Sequence, residues 1–150
     1  MEAVCADYVM SCGKHCAEFM LTRAGCVQVG LMSAVSANSG DGTGIWYHWA
    51  DEQQLDSTLD PEGMVHFPAK EELSEGDNVR MLLDMDAGLL TIKVNGNELG
   101  GCLKVTMSGS QCWAVAASEH FDEAESEEEE DEVWTSYTEV QIRALPWTEF

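Results

Sequence analysis

Basic residues are scarce: 7 Lys and Arg stand against 28 Asp and Glu, a formal net charge of −21 over 150 residues. Phosphate contacts need clustered Lys and Arg, so no nucleic-acid partner is expected. An anionic membrane surface is disfavoured for the same reason. No apolar run nears the ~20 residues that cross a bilayer. Met1-Glu2-Ala3 opens no basic, then apolar, stretch of the kind a secretory signal shows. No Asn-x-Ser/Thr site occurs either. The six cysteines (5, 12, 16, 26, 102 and 112) are therefore expected to be reduced and mostly buried, in a cytoplasmic or nuclear protein. Only 3 prolines are present, and no 15-residue window keeps a helical period.

What is present is enough apolar material for one domain. Hydrophobic residues make up 45% of the chain, a normal globular share. A chain of this length buries about 70% of its unfolded surface and needs no staple. Residues 1–150 read as a single domain. The acid is uneven. From Glu119 to Glu132, 10 of 14 positions are Asp or Glu, including the unbroken run Glu127–Glu132. Such a run buries nothing, so it reads as a solvated loop inserted before the last strand.

The rest alternates with period 2. Ala17, Phe19 and Leu21 share one face, as do Val27, Val29 and Leu31. Ile45 to Trp49 is aromatic-rich, and Met64 to Phe67 reads as a short strand. Val79, Met81 and Leu83 alternate, as do Leu90, Ile92 and Val94. Trp113, Val115 and Ala117 form another set, and Val140, Ile142 and Ala144 the last. Asp86-Ala87-Gly88 reads as a three-residue hairpin loop, with Gly88 supplying positive φ. Asn95-Gly96 is a strong two-residue hairpin signal. Short strands with frequent turns imply an antiparallel all-β sandwich or barrel.

The stretch from Glu75 to Gly100 resembles the signature of SPRY domains. Gly76-Asp77, Leu83-Asp84, Asp86, Gly88, Leu90, Asn95-Gly96 and Gly100 fall at the family's spacing. Ser11-Cys12-Gly13-Lys14-His15-Cys16-Ala17-Glu18 looks like the family's Ser-x-Gly-Lys-His-x-x-Glu opening. Val29-Gly30, Ile45-Trp46-Tyr47 and Trp113-Ala114-Val115 resemble further family strands, so the likeness covers about 10–145. Arg80 stands where the family usually has a small residue. The resemblance implies a bent antiparallel β-sandwich of two sheets, a concanavalin-like jelly roll. It also implies a non-catalytic module that grips another protein or peptide by loops at one edge.

Other chemistries fit less well. Asp84-x-Asp86 lacks the remaining ligands of an EF-hand loop, because positions 88, 89 and 95 are Gly, Leu and Asn. Its carboxylates are expected to accept hydrogen bonds from turn amides. Cys12-x3-Cys16 has no second tight pair to complete a zinc site. His15, His48, His66 and His120 are scattered, with no Gly-x-Ser-x-Gly elbow beside them. No catalytic residue, metal, cofactor or small-molecule substrate is expected.

The candidate partner contacts are Tyr47, Trp49 and Asp51, with Asn38 and Asp41 of the loop before them. Trp and Tyr are enriched in interface hot spots, and the resemblance places Trp46 in the core. Glu127, Glu128, Glu129, Glu130, Asp131 and Glu132 form a separate electrostatic candidate for a basic segment. Ser126 before them resembles an acidic-kinase site. Two alternatives stand beside this reading: an acidic domain binding Ca2+ or basic polypeptides, and a lectin-like sandwich binding sugar.

Overall fold

The computed structural model describes residues 2–23, 26–35, 44–49, 65–69, 73–98, 103–105, 109–118 and 139–150. Within these, the side chains of 2–7, 23, 26, 44, 46–49, 65–69, 103 and 117–118 lie outside the description. The described residues form two β-sheets. The first sheet holds β1 (Glu2–Met10), β10 (Gln111–Ser118), β3 (Cys26–Ser33), β4 (Gly44–Trp49) and β5 (Val65–Ala69), in that order. The second runs β11 (Glu139–Leu145), β2 (Lys14–Arg23), β6 (Asn78–Asp84), β7 (Leu89–Val94), β8 (Asn97–Glu98). The short β9 (Leu103–Lys104) pairs with β7 alongside β8. Consecutive strands that leave one sheet for the other, such as β1 to β2, close the sandwich.

The alternating sets fill the space between the sheets. Phe19, Leu21, Val29, Leu31, Val79, Met81, Leu83, Leu90, Ile92 and Trp113 are buried in one cluster. Trp113 meets Phe19 edge to face, with ring centroids 6.0 Å apart, a favoured geometry for aromatic pairs. Its indole N–H finds no hydrogen-bond partner among the described residues.

The structure departs from the sequence reading in three places. The β6–β7 hairpin pairs Asp84 with Leu89, so its loop has four residues, 85–88, not three. Gly88 still supplies the positive φ, at 66°. The pair β4–β5 runs parallel within otherwise antiparallel sheets. Pro68 is tolerated there because β5 is an edge strand. Finally, β1 was not expected. Its pairing with β10 shifts register between Val4 and Val9, an irregularity that blurs the period-2 signal.

The turn chemistry reads as expected. Asn95 and Gly96 both have positive φ, 50° and 81°, and join Val94 to its partner Asn97. This is the primed geometry that matches strand twist. Asp77 ties the turn before β6 to that hairpin: its Oδ2 accepts from the Ser74 amide at 2.7 Å, and its Oδ1 from Asn95 Nδ2 at 2.9 Å. Asp84 accepts from the Ala87 amide at 2.9 Å, and Asp86 from the Gly13 amide at 3.1 Å. Most of the Glu75–Gly100 signature is thus turn scaffolding.

Candidate functional site

Strand β4 carries Tyr47 and Trp49 beside the edge strand β5 of the first sheet. Its register pairs Val29 with Tyr47 and Gly30 with Trp46, and Trp49 with Ala69. Their side chains lie outside the description, as do residues Asn38, Asp41 and Asp51. Asn38 and Asp41 precede Gly44, while Asp51 follows Trp49. An extended strand of that length separates its ends by about 17 Å. The acidic residues Glu127 to Glu132 and Ser126 also lie outside the described residues. They belong to the segment that joins β10 of the first sheet to β11 of the second.

A site the sequence reading missed lies on the outer face of the second sheet. Register lines up Arg143, Glu18, Arg80, Lys93 and Glu98 straight across five strands. The next row but one holds Lys14, Asp84, Leu89 and Lys104. These two rows contain five of the chain's 7 basic residues, against the three acids Glu18, Asp84 and Glu98.

Glu18 is the centre of the first row and only 3% exposed. Arg80 Nε and Nη2 both reach its Oε1 at 2.9 Å, and Arg143 Nη2 reaches Oε2 at 2.5 Å. Burial alone would raise the Glu18 pKa, because it removes water from the charged form. Hydrogen bonds from Asn78, Arg80 and Arg143 outweigh burial and hold it below the usual 4.5. Arg80, the departure from the family pattern, is therefore the partner of a buried acid. The sequence did carry one sign of this: Glu18, Arg80 and Lys93 all fall between core positions of their strands.

The segment after β11 lies over these rows as a 3-10 turn, Trp147–Glu149, packed on β2. Arg80 Nη1 donates to the Glu149 carbonyl at 3.3 Å, and Lys93 Nζ to the Phe150 carbonyl at 2.8 Å. Lys93 also sits 4.2 Å from the Phe150 ring centroid, and Lys14 sits 5.1 Å from that of Trp147. Both are cation–π distances.

Of the cysteines and histidines, Cys12, Cys16, Cys112 and His15 have described side chains. Cys12 is exposed, whereas Cys16, four residues on in β2, is fully buried. Burial pushes the Cys16 thiol above its usual 9.0, against the opposing pull of Arg80. His15 hydrogen-bonds the Cys12 carbonyl through Nε2 at 2.7 Å and faces the Tyr8 hydroxyl through Nδ1 at 3.5 Å. Among the described residues, no three His, Cys, Asp or Glu side chains gather as a metal site would require.

No family model matches the chain, and no curated protein matches it. Among solved structures, the SPRY domain of human HERC1 is similar, with a TM-score of 0.53 at 12% identity. The match covers 95% of this chain and 80% of that one. At that identity the likeness speaks for the fold and nothing finer. The two facing sheets thus give this chain a β-sandwich fold similar to that of a SPRY domain.

Proposed function

We propose that this domain is a non-catalytic interaction module that binds another protein or peptide through loops at one edge of the sandwich. The observation that carries this reading is the fold likeness to the SPRY domain of human HERC1. The Glu75–Gly100 signature adds to it from the sequence side. Tyr47, Trp49 and Asp51, with Asn38 and Asp41, are the proposed contacts. The acidic residues Glu127 to Glu132 would add an electrostatic contact for a basic segment of the partner, and phosphorylation of Ser126 would deepen that field.

The test is affinity capture from native extract at physiological salt, with wild type and a Tyr47→Ala/Trp49→Ala variant that keeps its β spectrum. Loss of the retained protein from the variant supports the reading. Equal recovery removes these two residues from the site. Soluble-glycan binding would instead favour a lectin-like sandwich.

A further inference from the structure

We propose that the outer face of the second sheet is a second docking surface, separate from the β4 loops. Its occupant is a polypeptide segment with aromatic residues flanking an acidic one, and residues 146–150 are the built-in example.

The chemistry of the seat is on display. Two cations on different strands, Lys14 of β2 and Lys93 of β7, each take the face of one aromatic ring, Trp147 and Phe150. Arg80 and Lys93 take two consecutive backbone carbonyls. Ring faces and carbonyls are features that any segment of this spacing offers. The acid between the rings, Glu149, adds negative charge over rows that hold five of the chain's 7 basic residues. In a chain of net charge −21, an acidic segment meets on this face five cations against three acids among the described residues.

The occupant is seated but not locked in. None of Trp147, Thr148 and Glu149 is buried, and Trp147 is 50% exposed. Its hold rests on exposed cation–π contacts and two hydrogen bonds, which are weak individually. Yet the floor beneath is dry. Cys16, Glu18 and Thr91, outward-facing in their strands, are 0%, 3% and 6% exposed. Cys16 lies directly across from Leu145, the residue that leads into this segment, which puts the segment's start beside it. Lifting the segment would open that floor, and Cys16 would report the opening.

The test uses the full chain with Trp147→Ala/Phe150→Ala and a labelled synthetic peptide of sequence Ala-Leu-Pro-Trp-Thr-Glu-Phe. Alkylation of Cys16 is followed by peptide-level mass spectrometry, and peptide binding by fluorescence anisotropy. The variant should label at Cys16 about tenfold faster than wild type, the size expected when a closed floor becomes mostly open. Added peptide should restore protection saturably. It should bind wild type at least about tenfold more weakly, because the tethered segment competes at millimolar effective concentration. Adding Lys14→Ala and Lys93→Ala should abolish binding. Lys93→Met in an otherwise wild-type chain loosens the segment without altering it, and should also speed Cys16 labelling. That variant decides the matter if the double variant does not fold. Unchanged Cys16 labelling in Lys93→Met, absence of peptide binding to a folded double variant, or binding indifferent to the lysine changes would each overturn the proposal.

Discussion

Arg80 stands directly across from Glu18, 62 residues away in sequence, and its Nε donates to Glu18 Oε1 at 2.9 Å. Arg143 closes on the other oxygen from the opposite side. A carboxylate with so little water around it survives as an anion only because both oxygens are held.

Glu18→Gln should therefore lower unfolding stability by about 1.5–3 kcal/mol at neutral pH, the range for hydrogen bonds to charged groups. The half-exposed arginines place it toward the lower end. The folded pKa of Glu18 is lowered, so its contribution is complete above the ordinary 4.5 and is lost as pH falls through the folded value. Urea unfolding across that window should show the wild-type advantage over the variant shrinking toward acid. An advantage that persists unchanged in acid would contradict the ion pairing.

Two glycines should respond unequally to alanine. Gly96 has φ +81° with open space where a Cβ would go, so Gly96→Ala costs the left-handed strain alone, about 1–2 kcal/mol. Gly88 has φ +66° and its Cβ would lie 3.2 Å from the Val105 carbonyl oxygen. The Val105 amide is bonded to the Gly88 carbonyl at 2.9 Å, so that neighbour is not free to retreat. Thermal melts should rank Gly88→Ala below Gly96→Ala.

Trp113 combines a large buried ring with a polar atom that finds no partner among the described residues. Trp113→Phe removes that N–H and some volume but keeps an aromatic ring to pack against Phe19. It should be far milder than Trp113→Ala, which should cost about 3–5 kcal/mol. Denaturant midpoints of the two variants check this. Equal losses would contradict a packing role for the ring.

Salt separates the two modes of partner contact. Exposed charges are screened over about 8–10 Å near physiological ionic strength. A contact made by Glu127 to Glu132 should weaken steeply as salt rises and vanish on deletion of 122–132. Binding at the β4 loops should survive both, as equilibrium titrations at two salt concentrations would show.

Much of the framework was legible in the residues. The rows Ala17/Phe19/Leu21 and Val79/Met81/Leu83 are core because period 2 is a local property of each strand. The Asn95-Gly96 hairpin was readable because positive φ selects those residues. The row through Glu18 was not, since its meaning depends on pairings 62 and 125 residues apart. Lys93 and Phe150 were hidden for the same reason, at a separation of 57. The β6–β7 loop was misread by one residue because Met85 is apolar and continues the strand pattern. The candidate loop residues Asn38, Asp41 and Asp51 rest on sequence alone.

The central claim is that this sandwich grips a protein through its β4 loops. The most direct measurement is the affinity of wild type and of folded Tyr47→Ala/Trp49→Ala for the captured partner at physiological salt. The account predicts a drop of at least about tenfold, since truncating a hot-spot aromatic typically costs 2 kcal/mol or more. Equal affinities would contradict it.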